Sequence, residues 1–214
     1  MSLTLDPPRN CSTCPRLVAY RVQARADDPS GHNAPVPSFG DSKARLLIVG
    51  LAPGLKGANR TGRPFTGDYA GDLLYRTLNK FGFAKGQYQA RPDDGLALIE
   101  TQITNAVRCV PPENKPTPAE IRSCRPYLEK TIDSLKALRA IVALGHVAHD
   151  TVLKSFGVPL SGHPFAHGAT HDLDGITLFD SYHCSRYNTN TGVLTEAMFE
   201  AVFAAVKAHL KRTS

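Results

Sequence analysis

Four apolar runs recur along the chain at intervals too long for hairpins, and this recurrence limits the fold more than any other feature. Ala44–Val49, a stretch within Leu98–Val107, Ala140–Leu144 and Ile176–Asp180 each read as a buried strand. Helical spacings separate them. Over Asp68–Phe81, the residues Leu73, Leu74, Leu78 and Phe81 share one face. Thr117-Pro118-Ala119-Glu120 is a capping box with proline at the first helical position, so a helix runs from there to about Leu135. His146–Phe156 and Thr195–Lys211 read as two further helices. Strands alternating with helices predict an α/β fold: a three-layer α/β/α sandwich around a mostly parallel four-stranded sheet. The 214 residues suffice for one domain, 1–214, in which residues 1–43 form an N-terminal segment. Ligands of such sheets bind outside the carboxyl ends of the strands. The Gly-rich loop after the first strand, Asn105 at the end of the second and His183 after the fourth all fall there.

Charge and apolar content bound the partners. A formal net charge of +6 suits a polyanion, since each Lys or Arg that meets a phosphate releases a counterion. A mildly basic soluble enzyme is the plainer reading. No apolar run approaches the roughly 18 residues of a membrane span, and the N-terminus MSLTLDPPRNC lacks the apolar core of a signal peptide. No membrane association is expected, and a cytoplasmic, reducing location follows.

In that setting the five cysteines are not a disulfide framework. Cys11 and Cys14 form C-x2-C, and Cys109 and Cys124 form C-x14-C. Four thiolates split two and two signal a metal site. The donors admit zinc or an iron–sulfur cluster. The wide second spacing leans toward a cluster, with zinc as the alternative and four unrelated buried thiols as the bland one. Either metal would tie the N-terminal segment to the body of the domain in a structural role. Cys184 is left over and reads as a small buried hydrophobe.

The loop GLAPGLKGANRTGRPFTGD, Gly50 to Asp68, is not a P-loop, because no GKS or GKT follows, and it does not match GxGxxG. It does resemble the first motif of the family 5 uracil-DNA glycosylases. SYHCSRYNTNTGVLT, Ser181 to Thr195, resembles their distal motif, and ITNAVRC, Ile103 to Cys109, resembles the segment with their base-reading Asn. The four cysteines match the [4Fe–4S] ligands shared by families 4 and 5. Family 4 loops read GEAPG, whereas Leu51 occupies the acid's position here, as in family 5. The covalently trapping relatives carry a KRRIH loop, for which this chain has GHPFAHG, so ordinary turnover is expected. Cys184 stands where the pattern has Pro in an HPS triplet, a change that loosens the backbone beside His183.

The resemblance implies a monofunctional glycosylase in base-excision repair. Its partner is DNA containing uracil or other deaminated bases, hypoxanthine among them, and the enzyme acts as a monomer. The residues fit such chemistry. A flipped base costs a few kcal/mol to extrude, and an aromatic face returns about 1–3 kcal/mol by stacking. Phe65 is the candidate, unless it only covers the sheet edge. Asn105 offers a donor and an acceptor matching O4 and N3–H of uracil; an Asx turn is its ordinary reading. His183 is the candidate donor to O2 of the departing base, supplemented by backbone N–H groups from Ala52 to Gly54. Asp68 is the candidate carboxylate for the sugar cation and the water, or a helix cap, or both. Asn188 is expected to help hold the water or the sugar. Lys56, Arg60, Arg63 and Arg186 are candidate phosphate contacts, and Arg186 or Tyr187 a wedge into the gap left by the base. No lysine is placed for a Schiff base, so strand cleavage is not expected. The rival readings are a non-catalytic iron–sulfur module that binds DNA or senses damage, and an iron–sulfur redox protein.

Overall fold

The computed structural model describes residues 4–213. The chain runs α1 (Pro15–Asp27), β1 (Phe39–Gly40), β2 (Leu46–Gly50), α2 (Ala58–Thr61), α3 (Tyr69–Phe81), β3 (Ala84–Lys85), β4 (Ala97–Leu98) and β5 (Thr101–Asn105). It continues through α4 (Pro118–Ser134), β6 (Ala140–Leu144), α5 (His146–Ser155), β7 (Thr170–Leu173), β8 (Ile176–Ser181), α6 (Arg186–Asn190) and α7 (Glu196–Arg212).

The apolar runs do become the parallel centre of the sheet. β5, β2, β6 and β8 lie side by side in that order, all parallel. Every residue of β2 and β6 is buried, as strands covered on both faces require. Alternate side chains enter opposite layers. Leu46 and Ile48 meet α3 and α7 in one core, while Leu47 and Val49 meet α4 and α5 in the other. The sheet is six-stranded rather than four-stranded, because β1 pairs with β5 and β7 with β8, both antiparallel at the edges. β3 and β4 form a separate two-stranded ribbon.

Caps set where the helices begin. Thr117 and Glu120 complete the expected capping box of α4, Asp68 caps α3 and Thr195 caps α7. The register aligns the carboxyl ends at one rim: Gly50 faces Asn105, and Leu144 faces Ser181. Asp180, just before that rim on β8, is fully buried and bonded to His149 Nδ1 at 2.8 Å and His171 Nε2 at 3.0 Å. His149 Nε2 faces the His163 carbonyl at 2.9 Å and therefore donates to it. This network pins the strand that delivers His183.

Candidate active site

A cleft of about 600 Å³ opens at the rim, between the loop after β2, the end of β5 and the segment after β8. Phe65, Asn105 and His183 all line it. Their close approach depends on Gly50. A Cβ there would lie 2.5 Å from both Asn105 Oδ1 and Phe65 Cζ, closer than any side chain tolerates. The last residue of β2 is thus the gap that lets the amide and the ring share one wall. The Phe65 ring and the His183 imidazole stack with centroids 5.9 Å apart and 28° between planes.

Burial pushes the His183 imidazole down to about 4, so it is neutral at pH 7 and carries one N–H. Its main chain is held from behind, where Asn188 Nδ2 donates to the His183 carbonyl at 2.8 Å. Asn188 is not among the cleft-lining residues. Its Nδ2 supports the backbone that carries His183.

Asp68 does two things at once. Oδ1 accepts from Gly71 N at 3.3 Å, which caps α3. The other oxygen points at the Gly-rich loop, 3.3 Å from where a Cβ on Gly54 would sit, and the residue lines the cleft. Burial raises its carboxyl above the usual value. Ala52 and Gly54 also line the cleft. Among the described residues their amide groups have no backbone acceptor, which leaves them as donors toward a bound anion.

The cations divide. Lys56 and Arg186 line the cleft, and the Arg186 guanidinium sits 5.2 Å from the Tyr69 ring. Arg60 is exposed and pairs with Asp28 at 3.2 Å. Tyr187 is 74% exposed, free to meet a duplex. Arg63 does not fit its expected role. Its side chain is 4% exposed and donates two bonds, of 2.8 and 2.7 Å, to Asp94. A guanidinium committed in this way does not reach phosphates, so Arg63 is removed from the DNA-contacting set. Arg91 lines a groove with His32, Lys56 and Arg60, and that groove shares Lys56 and Gly67 with the cleft. Sequence reasoning missed Arg91 because nothing near it in the chain marks it. It also missed Asn114, on the cleft wall.

On the far side of the loop after β5, Cys11, Cys14, Cys109 and Cys124 line one small enclosed space. All four are free thiols. Four thiols around one space are a donor set that suits an iron–sulfur cluster or a zinc ion. Burial pushes the Cys109 thiol up to about 12 and the Cys124 thiol up to about 11, so a metal must displace protons to bind. Buried Arg21 supplies positive charge, donating from Nη1 to Cys109 Sγ at 3.6 Å and from Nη2 to the Cys11 carbonyl at 2.7 Å. The Arg108 amide donates to Cys124 Sγ at 3.3 Å. Cys184 lies elsewhere, fully buried, with its thiol 3.5 Å from the Ala70 carbonyl.

Residues 37–207 match the family model described as the uracil DNA glycosylase superfamily. The chain is similar to the type-5 uracil-DNA glycosylase of Thermus thermophilus, 47% identical over 203 residues that cover 92% of each chain. It is similar to the type-5 enzyme of Pyrobaculum aerophilum, 41% identical over 87% of this chain and 83% of that one. The type-4 uracil-DNA glycosylase of Saccharolobus solfataricus is 30% identical, over 97% of this chain and 87% of its own.

Proposed function

The chain belongs to the uracil DNA glycosylase superfamily, and from that premise we propose that it is a type-5 uracil-DNA glycosylase, a monofunctional hydrolase that removes uracil from DNA in base-excision repair. The single observation that carries this reading is the shared cleft of Phe65, Asn105, His183 and Asp68. The flipped base packs against Phe65, and the Asn105 amide pairs with its O4 and N3–H edge. The C1′–N1 bond breaks, and its electron pair leaves with the base as an anion centred on O2. The neutral His183 N–H and the amides of Ala52 and Gly54 donate to that anion. The Asp68 carboxylate stabilises the oxocarbenium-like sugar and orients the water. The water oxygen bonds to C1′ and its proton passes to the carboxylate, leaving an abasic site. Positioned charge at the point where charge develops is the largest single contribution such a site makes.

Deaminated purines such as hypoxanthine belong to the same proposal, because a cleft of about 600 Å³ leaves room for a bicyclic base. The flanking strand lies over the groove of Lys56, Arg60 and Arg91, with Arg186 and Tyr187 beside the vacated stack. Cys11, Cys14, Cys109 and Cys124 hold a [4Fe–4S] cluster, zinc being the alternative, and the cluster serves as a structural link between the N-terminal segment and the loop after β5. The enzyme acts as a monomer in the cytoplasm; five free cysteines suit a reducing compartment. No helix among the described residues is long and apolar enough to cross a membrane.

The test is base release from matched oligonucleotides carrying uracil, hypoxanthine or xanthine. Uracil release that collapses in Asp68→Asn and His183→Ala supports the reading. Binding without release by the wild-type chain favours the non-catalytic DNA-binding module instead.

A further inference from the structure

Phe65 carries its ring in the cleft on a backbone that aromatic residues rarely adopt. Its φ is +52°, in the left-handed region. The Cβ of an L-residue crowds the following carbonyl there, so the conformation persists only where the surroundings over-determine it.

They do so from several sides. Tyr75 Oη donates to the Pro64 carbonyl at 2.7 Å. Tyr88 Oη donates to the Phe65 carbonyl at 3.2 Å and accepts from Gly67 N at 3.3 Å. Arg63 Nε donates to Thr66 Oγ1 at 2.8 Å, and that hydroxyl donates to the Pro64 carbonyl at 3.2 Å. The carbonyl before Phe65, its own carbonyl and the side chain after it are therefore all held. Behind them the Tyr75 and Tyr88 rings stack at 4.6 Å. The Arg63 guanidinium lies 5.3 Å from one ring and 5.8 Å from the other. Asp94 closes the cage. It takes both Arg63 bonds, accepts from Gln89 N and Leu96 N, and is held far below the usual carboxylate range by Arg63. Gly71 completes the fit, since a Cβ there would collide with the Phe65 carbonyl and the Tyr88 hydroxyl.

We propose that Arg63, Asp94 and Tyr88 are positioning residues for base release: they hold Phe65 in its left-handed backbone so that its ring lies against His183 and Asn105. None of the three lines the cleft, so each acts through Phe65. Without the cage, Phe65 relaxes to an ordinary backbone and its ring leaves the wall it shares with Gly50. The proposal rests on the glycosylase reading.

A double-substitution cycle tests it. Single-turnover uracil release is measured for the wild-type chain, Tyr88→Phe, Asp94→Asn, Phe65→Ala and the two double variants. Affinity for a duplex with a non-cleavable abasic analogue and thermal melting are measured alongside. Tyr88→Phe keeps the ring stack and removes only the hydroxyl. Each single cage substitution is expected to slow release about 10- to 100-fold with analogue affinity unchanged. In the Phe65→Ala background the same substitution is expected to change the rate less than about two-fold. Equal losses in both backgrounds overturn the proposal, because a merely structural role is additive. So does an unchanged rate in folded Tyr88→Phe, which decides alone if Asp94→Asn does not fold. A wild-type chain that releases no uracil overturns the glycosylase reading and this proposal together; additive losses in an active chain overturn this one only.

Discussion

The Phe65 ring and the His183 imidazole lie 5.9 Å apart, centroid to centroid, and 28° from parallel. Both rings line the one cleft, and they offer a bound base different things, a stacking face and a hydrogen-bond donor. The two substitutions should then fail differently. Phe65→Ala removes stacking worth about 1–3 kcal/mol and should weaken capture of the flipped base, seen as a raised KM and reduced release. His183→Ala removes a donor to the departing anion. It should lower the single-turnover rate about 10²- to 10³-fold with product-analogue binding largely retained. Equal losses in both measurements for both variants would contradict this division.

Asp68 permits its two roles to be separated. Asn and Asp are equivalent at an N-cap, whereas Ala costs about 1 kcal/mol. Asp68→Asn should therefore melt near the wild-type temperature yet lose about 10²- to 10⁴-fold in rate. The pH profile follows from the two shifted groups. Burial raises Asp68, and only its ionised form supports the cation, so the rate climbs as pH rises through a value above the ordinary 3.8. His183, lowered to about 4, is neutral near pH 7 and adds no alkaline limb near 6.5. A rate that falls between pH 6 and 7 would instead mean that imidazolium is the working form.

How much of this was legible in the chain depends on the range of the signal. The four central strands were readable because burial on both faces makes them continuous apolar runs such as LLIVG of β2. The edge strands were not. Phe39–Gly40 is two residues inside a Pro- and Gly-rich segment, and Thr170–Leu173 is mostly polar. Local motifs placed Phe65, Asp68, Asn105 and His183 on one rim through topology alone. What the sequence did not show was which groups pair. Nothing at Arg63 says that its partner is Asp94, 31 residues away, and nothing at Asn188 says that its Nδ2 bonds the His183 carbonyl. Beside His183, the Cys184 thiol lies 3.5 Å from the Ala70 carbonyl.

The cations give a third prediction, because exposed and buried arginines fail in different measurements. Lys56→Ala, Arg60→Ala and Arg91→Ala should each weaken binding across sequences and flatten the dependence of log K on log salt by about one unit. Melting should not move. Arg63→Ala should do the reverse. Its loss strands the Asp94 carboxylate, whose side chain is 0% exposed, a defect worth about 3–5 kcal/mol. Urea melts and salt titrations of the four variants distinguish the two groups. A flattened salt slope in a stable Arg63→Ala protein would return Arg63 to the DNA-contacting set.

The cysteines give the last. The sulfurs of Cys11 and Cys14 come from the N-terminal segment, Cys109 follows β5 and Cys124 lies in α4. A metal joining them closes a loop of 95 residues, from Cys14 to Cys109, a restraint on the unfolded state of the same kind that a disulfide supplies. Its loss should lower stability with little direct effect on a cleft that none of the four lines. Protein purified without oxygen should carry about four iron atoms per chain and the broad visible absorbance of thiolate-bound iron. One zinc per chain and no colour would establish the alternative. Cys109→Ser should lose the metal and several degrees of melting temperature. Cys184→Ala, whose thiol meets Ala70 rather than the other four cysteines, should keep the metal content unchanged. Iron retained in Cys109→Ser, or lost in Cys184→Ala, would show that the ligand set has been assigned to the wrong sulfurs.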